Sequence, residues 1–209
     1  MLPESSVESE ESDSARESRR GLRLRGERVS LRTIQREDQG RLADLYDDLE
    51  LQSLVSSRQP APESRAAWEA DFDRNLSKSE GVSDSVGFAI EIEGEIAGKC
   101  GLHHIDRYSQ VCQLGIWLGR DYWGKGYGPD AVRILLDYAF RHLNLHKVCL
   151  EVLADDERAV GAYRKVGFVE EGRLREQAWH NGTYRDTLRM GVLRTQWGGL
   201  DRADHVKEG

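Results

Sequence analysis

One stretch of the chain decides the fold: residues 115–130, which read GIWLGRDYWGKGYGPD. It joins an apolar, strand-like run to a helical pattern that is predicted to begin just after Gly128, where Pro129 presets the first turn. Gly124, Gly126 and Gly128 alternate along it, so several backbone N–H groups lie uncovered beside the positive end of the helix. A tight turn alone would need fewer glycines, and the pattern therefore predicts a phosphate-binding loop.

Two nucleotide-binding motifs match this stretch only in part. A P-loop requires G-x-x-x-x-G-K followed by Ser or Thr, and residues 119–125 have that spacing, but Gly126 stands where the magnesium-binding hydroxyl is needed. A dinucleotide-binding fingerprint requires G-x-G-x-x-G, whereas these glycines read G-x-G-x-G and follow several antiparallel strands. A phosphoryl-transfer enzyme therefore stays a possible function, ranked below the two that are described at the end of this section.

Composition narrows the class of protein. The 209 residues are 38% hydrophobic and 32% charged, which is typical of a globular protein, and the net charge of −7 argues against a general nucleic-acid binder. No apolar run is long enough to span a bilayer. The three cysteines lie in apolar runs, which favours reduced thiols and a cytoplasmic protein, and no His or Cys spacing predicts a metal site.

Periodicity predicts an α+β fold in a single domain over residues 27–197. Residues 1–26 are dominated by Ser, Glu and Arg and are predicted to be a disordered leader, and residues 198–209 a flexible tail. The pattern predicts a mixed, mostly antiparallel sheet of about 6–7 strands flanked by about four helices. The predicted strands are residues 28–34, 86–93, 95–104, 111–118, 148–153, 168–179 and 184–192, and the helices are residues 37–48, 63–76, 130–142 and 157–166.

Two motifs resemble the GNAT superfamily of N-acetyltransferases. They are WGKGYG (residues 123–128) with the helix after it, and ERAVGAYRKVGF (residues 157–168). Trp123 takes a position that is usually Gln or Arg, a replacement typical of the branch that contains ribosomal-protein N-terminal and spermidine acetyltransferases. HNGTYRD (residues 180–186) is similar to the same branch. The resemblance implies a GNAT-like fold, acetyl-CoA as co-substrate, and direct attack by a primary amine: a small-molecule amine, a polyamine or a protein N-terminus.

The resemblance also implies catalytic residues. Tyr163 matches the tyrosine near the CoA sulfur, and its phenol is expected to protonate the departing thiolate. Glu151 resembles the acidic base of some ribosomal-protein acetyltransferases. His103 and His104 compete for that role, although adjacent strand residues face opposite sides of a sheet. Gln113 stands where related enzymes often carry Glu and cannot act as a base, so the base is left open between Glu151, a histidine and a water relay.

The remaining candidates are assigned to acetyl-CoA. The strand before the loop is expected to pair with pantetheine, with the N–H of Ile116 or Leu118 facing the thioester oxygen. Asp156 stands where the family usually has Asn and adds a negative charge beside the cofactor. The predicted cofactor-binding residues are Ile116, Trp117, Leu118, Trp123, Gly124, Lys125, Gly126, Tyr127, Gly128, Pro129, Asp156, Arg164 and Lys165.

The acceptor groove is expected between the first two helices and the closing hairpin. Its predicted residues are the acids Asp47, Asp48 and Glu50, which would attract a cationic amine, and an apolar wall of Trp68, Tyr108 and Trp179. The edge strands of the hairpin could pair two copies into a homodimer. The alternative function is a noncatalytic acyl-CoA-binding or sensing module with the same fold, which would bind acetyl-CoA without releasing CoA.

Overall fold

An eight-stranded sheet runs through the part of the chain that the computed structural model describes, residues 22–55, 60–77 and 84–199. Its strands lie in the order β1-β2-β3-β4-β5-β6-β8-β7, and within it only β5 and β6 pair in parallel. The mixed, mostly antiparallel sheet is confirmed. The bounds are β1 (Arg23–Arg25), β2 (Ser30–Thr33), β3 (Val86–Ile92), β4 (Glu95–Asp106), β5 (Val111–Leu118), β6 (Lys147–Leu153), β7 (Val169–His180) and β8 (Thr183–Leu193).

Helices cover both faces of the sheet, so that the fold is a three-layer α+β arrangement. The described helices are α1 (Asp38–Tyr46), α2 (Leu49–Val55), α3 (Arg65–Ser77), α4 (Tyr127–Arg141) and α5 (Glu157–Val166). The main core lies under α4 and α5, where the apolar stripe of α4 from Ala131 to Phe140 packs against the sheet. A smaller cluster around Leu42 and Ala89 lies under α1 and α3 on the opposite face.

The described part has one strand more than the predicted maximum of seven, and one helix more than the predicted four. The extra helix is α2, whose first turn is capped by Asp48: its carboxylate accepts the N–H groups of Glu50 and Leu51 at 2.9 and 3.0 Å. The extra strand is β1, which lies at the end of the segment predicted to be a disordered leader (residues 1–26) and pairs with β2, so the regular structure begins before residue 27. A three-residue strand is too short to show a period. Residues 1–21 and 200–209 lie outside the described residues.

The helix after the glycine loop begins at Tyr127, three residues before the predicted start at Asp130. Pro129 is tolerated in this first turn because an N–H there would have no intrahelical acceptor. The buried carboxylate of Asp130 accepts the backbone N–H groups of Arg28 and Val29 at 2.8 and 3.0 Å. It thereby holds the entry to β2 against the start of α4.

The sheet opens between its two parallel strands. β5 and β6 pair only over residues 111–113 and 147–149, after which β5 continues to Leu118 and β6 to Leu153. Because β5 keeps its pairing with β4 as far as Leu118, the opening exposes the other edge of β5. The fold therefore places a cleft at the carboxyl ends of β5 and β6, beside the glycine loop.

Candidate active site

The β5 edge of the cleft presents backbone donors. The N–H of Gly119 bonds to the carbonyl of Ala97 on the β4 side, at 2.9 Å. Because backbone groups alternate between the two edges of a strand, the N–H groups of Ile116 and Leu118 point into the cleft. The indole Nε1 of Trp123 donates to the carbonyl of Leu118 at 2.7 Å, and this bond holds the loop against the end of β5.

The glycine loop has the backbone that an anion cradle requires. Gly124 and Gly126 have φ of +72° and +83°, in the left-handed region that favours glycine, and Gly126 is the N-cap of α4. At Gly124 no atom lies within 4 Å of an added Cβ, so backbone conformation rather than space selects glycine there. The first N–H groups of α4 have no intrahelical acceptor and carry its positive dipole end. The loop therefore fits a pyrophosphate.

A cation and an aromatic ring join the loop to α5. The guanidinium carbon of Arg158 lies 4.3 Å from the ring centroid of Trp123, within cation–π range. Arg158 also lies 3.4 Å from Oδ2 of Asp156, whose Oδ1 accepts the N–H of Ala159 at 2.9 Å. Asp156 is therefore the N-cap of α5 and its charge is compensated, which accounts for the Asp at this position. The sequence analysis missed Arg158, although it lies in the same motif (residues 157–168) as the predicted site residues Tyr163, Arg164 and Lys165.

Tyr163 lies within α5 with its ring packed edge-on against Phe168, at a centroid separation of 5.8 Å. Burial raises the pKa of the Tyr163 phenol to about 12; the nearby Asp156 carboxylate adds to the rise, while Arg158 opposes it. The hydroxyl is therefore protonated at neutral pH, and in this state it can donate a proton.

The face of the sheet that carries α1 and α3 holds the other titratable candidates. Strand alternation and the pairing register place His103, Gln113 and Glu151 on this one face. His103 lies over Gly115, where an added Cβ would come within 3.3 Å of its Nε2. Burial lowers the pKa of His103, and the charges of Lys99 and His104 lower it further, against a smaller opposing effect of Asp84. His103 is therefore neutral at pH 7.

Glu151 is more exposed than His103 and has a cationic neighbour. Its Oε1 lies 4.0 Å from Nη1 of Arg189, the residue opposite it on β8. His104 is exposed and has a φ of +50° next to an irregularity in the pairing of β4 with β5. Of the two adjacent histidines, His103 is the one that lies on the α1 and α3 face beside β5.

Residues 28–169 match the acetyltransferase (GNAT) domain family. The chain belongs to this family. It is 36% identical to the spermidine N(1)-acetyltransferase of Escherichia coli K12 over 110 residues, 53% of this chain and 59% of that protein. It is 26% identical to the putative ribosomal N-acetyltransferase YdaF of Bacillus subtilis, over 83% of this chain and 95% of that one.

The fold agrees with a solved GNAT structure. The spermidine N-acetyltransferase of Vibrio cholerae, in complex with CoA and spermine, has a TM-score of 0.73 and 28% identity, over 81% of this chain and 97% of that chain. The chain is accordingly an acetyl-CoA-dependent N-acetyltransferase of amines, with acetyl-CoA as co-substrate. The acetyl-CoA donor and the amine reaction predicted from the two motifs are confirmed.

The structure brings most of the predicted cofactor residues of this GNAT to the cleft, but three lie elsewhere. The ring of Trp117 packs against Tyr46 and Trp68 between the sheet, α1 and α3, at centroid separations of 5.2 and 6.3 Å. Arg164 and Lys165 lie in the last turn of α5, at the opposite end from Arg158, and Arg164 is 3.5 Å from Glu170. Their backbone positions therefore lie away from the glycine loop.

The predicted acceptor groove forms only in part. His180 Nδ1, at the end of the β7–β8 hairpin, lies 3.3 Å from the carbonyl of Ser53 in α2, so the hairpin and the α1–α3 side do meet. Of the predicted wall, Trp68 packs in the cluster described above. Tyr108 is 98% exposed, and Trp179 is 62% exposed and packs on Tyr184. These two rings do not line a common wall with Trp68.

The predicted acidic cluster is partly neutralised by the chain itself. Arg120 Nη1 lies 2.8 Å from Glu50 Oε2 and 3.4 Å from Asp48 Oδ2. The Arg120 cation and, more strongly, the backbone N–H of Leu51 lower the pKa of Asp48. Within the described residues no group of three His, Cys, Asp or Glu side chains could hold a metal ion, and no described helix is long and apolar enough to cross a membrane.

Proposed function

We propose that this GNAT transfers the acetyl group in one step from acetyl-CoA to a primary amine, with Tyr163 as general acid. The observation that carries the proposal is the split between β5 and β6. Backbone N–H groups of β5 point into this split from one side, and the partly buried, protonated Tyr163 lies on α5, the helix that follows β6. A thioester is already activated, so an amine can attack it without an acyl-enzyme.

The steps follow from these groups. The neutral amine nitrogen bonds to the thioester carbonyl carbon, and the carbonyl oxygen gains negative charge, which the N–H of Ile116 or Leu118 stabilises. The carbon–sulfur bond then breaks, and the thiolate takes the phenolic proton of Tyr163 to leave as CoA. The attacking nitrogen loses one proton to a base, and Tyr163 regains its own from solvent. The overall change is amine and acetyl-CoA to N-acetyl amine and CoA.

His103 supports the role of base better than Glu151 does. It is neutral at pH 7 and lies on the face of the sheet that carries α1 and α3. It stands over Gly115, next to Ile116, whose N–H points into the cleft. Glu151 lies on the same face, but it is exposed and its Oε1 lies 4.0 Å from Nη1 of Arg189, so it is already engaged by a cation. Glu151 then acts by attracting the protonated amine.

For the acceptor we propose an α-amino group, as at a peptide N-terminus. Two of the three acids predicted to attract a polycation, Asp48 and Glu50, are paired with Arg120, and Asp44 on α1 is paired with Arg65. An α-amino group has a pKa near 8, so a weak base such as His103 suffices. The relative named putative ribosomal N-acetyltransferase supports this choice. A polyamine is the second candidate, supported by the spermidine acetyltransferases among the relatives.

One experiment separates these possibilities. CoA release and product mass are measured with acetyl-CoA and two acceptors, short peptides with free N-termini and spermidine, with N-blocked peptides as the control. We expect turnover of free peptides at a higher kcat/KM than of spermidine. A higher kcat/KM for spermidine would establish the second candidate. Binding of acetyl-CoA with no CoA release from either amine class would contradict the enzyme proposal and favour a sensing module.

We further propose a cytoplasmic location and a homodimer. The thiols of Cys100, Cys112 and Cys149 are unpaired and buried, and burial raises the pKa of each, to about 12 for Cys112, which suits a reducing compartment.

The homodimer is proposed from the edge of the sheet. β7 is an outer strand of the sheet and is mostly exposed along its length, so a second copy could pair with it. Light scattering on the purified protein would test the dimer; a mass of one chain at micromolar concentration would contradict it.

A further inference from the structure

Arg28 reaches the centre of the glycine loop from a distant part of the chain. Its Nη1 donates to the carbonyl oxygen of Lys125 at 2.6 Å, across 97 residues of sequence. The same nitrogen would lie 3.3 Å from a Cβ added to Gly126, so the guanidinium rests against the left-handed residue that caps α4. Arg28 belongs to neither of the two motifs that identify the family.

The backbone of Arg28 is itself fixed by the helix that the loop begins. Asp130, only 3% exposed, accepts the N–H groups of Arg28 and Val29, and more distantly that of Glu27 at 3.4 Å. Gly26 permits this approach, because a Cβ there would lie 2.6 Å from Oδ2 of Asp130. α4 thus holds the Arg28 backbone, and the Arg28 side chain holds the loop that leads into α4.

The bond to Lys125 has a consequence for the neighbouring donor. The carbonyl of Lys125 and the N–H of Gly126 belong to one planar peptide unit and point in opposite directions. A guanidinium that fixes the oxygen therefore also fixes the direction of the Gly126 N–H. Without that bond, the glycines on either side of Lys125 leave this peptide free to rotate.

We propose that Arg28 is a positioning residue for acetyl-CoA: it orients the Lys125–Gly126 peptide so that the Gly126 N–H faces the pyrophosphate. The inference concerns the donor side of the cleft and holds whichever amine is the acceptor. Arg28 acts through the loop, so its loss should affect only donors that carry a pyrophosphate. If Arg28 instead contacted the 3′-phosphate directly, its loss would weaken the binding of CoA but not that of 3′-dephospho-CoA.

The test uses three ligands and three variants. By calorimetry, we expect Arg28→Ala to weaken CoA and 3′-dephospho-CoA about tenfold each, because a hydrogen bond from a charged group is lost. Arg28→Lys keeps a donor and a charge and should remain within about threefold. The control Arg25→Ala, an exposed arginine of the same segment, should bind both ligands as the unchanged protein does. The third ligand is S-acetyl-pantetheine, an acetyl donor that lacks the pyrophosphate, and the kcat/KM for it should be unaltered in Arg28→Ala.

Three results in Arg28→Ala would overturn the proposal. They are an unchanged affinity for CoA, an equal loss of kcat/KM with S-acetyl-pantetheine, or a loss of affinity for CoA but not for 3′-dephospho-CoA. A double-mutant cycle with Asp130→Asn adds an independent check. If Asp130 acts through Arg28, the effects of the two substitutions on CoA affinity should be less than additive, while full additivity would contradict the coupling. Melting temperatures of all variants show whether each protein is folded at the assay temperature.

Discussion

At the scale of single residues, Tyr163 and its raised pKa make the sharpest prediction. Tyr163→Phe removes only the proton donor, so kcat should fall about a hundredfold while the Kd for acetyl-CoA stays within about twofold. Stopped-flow release of CoA and calorimetry measure the two quantities. Tyr138→Phe is the matched control, since Tyr138 is a half-buried tyrosine that packs on Phe88 in the main core. An unchanged kcat in Tyr163→Phe would remove Tyr163 from the chemistry.

His103 makes a pH prediction whose sign follows from its surroundings. Burial, Lys99 and His104 hold its pKa below 6.5, so the base is neutral at pH 7 and becomes protonated only as the pH falls through that lowered pKa. As the pH is lowered from 7, kcat should therefore stay constant to below pH 6.5 and decline only at more acidic pH. Lys99→Met removes one positive neighbour and should move the decline to higher pH. His103→Asn should abolish the decline and lower the plateau about 10- to 100-fold.

The Glu151→Gln variant tests whether His103, rather than Glu151, is the base that causes the decline of kcat at acidic pH. It should leave the acid decline in place and change mainly KM, because the carboxylate is expected only to attract the amine. If Glu151→Gln removes the decline and His103→Asn does not, then Glu151 is the base.

At the scale of elements, Arg120 couples two parts of the site. It lies in the 3-10 turn Arg120–Tyr122 between β5 and the glycine loop, and it pairs with Asp48 and Glu50 at the junction of α1 and α2. Arg120→Gln should free both carboxylates to attract a cationic acceptor. The KM for spermidine should fall about three- to tenfold, because each exposed ion pair that is lost contributes about 1 kcal/mol or less of interaction free energy. The KM for a peptide acceptor should not fall.

Arg65→Gln is the matched control for that measurement, because Arg65 pairs with Asp44 on α1 rather than at the α1–α2 junction. An unchanged ratio of spermidine to peptide kcat/KM in Arg120→Gln would show that Arg120 does not determine acceptor charge.

At the scale of the whole molecule, the cleft predicts which ligand stabilises the fold. A ligand at 100 times its Kd that binds only the folded state adds about 2.7 kcal/mol to the free energy of unfolding. For a chain of 209 residues this raises the Tm by about 5–10 °C. Acetyl-CoA should produce that shift, whereas ATP with magnesium, or NAD, at the same concentration should produce less than about 1 °C. A comparable shift with ATP would support the phosphoryl-transfer alternative.

Much of the fold could be predicted because its signals are local. The bounds of β5 and α5 agree with those predicted, and the two predicted strands 168–179 and 184–192 form a hairpin that turns at Asn181-Gly182. The short elements β1 and α2 could not be predicted, since three and seven residues show too little of a period. Gly124 and Gly126 adopt the left-handed backbone that favours glycine, whereas Gly128 lies inside α4, because the helix begins at Tyr127, earlier than predicted.

The sequence by itself determined the type of cleft and its donor. A strand, alternating glycines and a capped helix specify an anion-binding loop through backbone conformation, which depends on neighbouring residues alone. Only the tertiary structure decided which charges can act. Arg120 reaches Asp48 across 72 residues, and Arg28 reaches Lys125 across 97. Pairing between distant side chains depends on how the sheet and helices pack. The acidic cluster therefore looked available in the sequence although it is partly neutralised, and Arg28 looked like the start of a strand although it holds the loop.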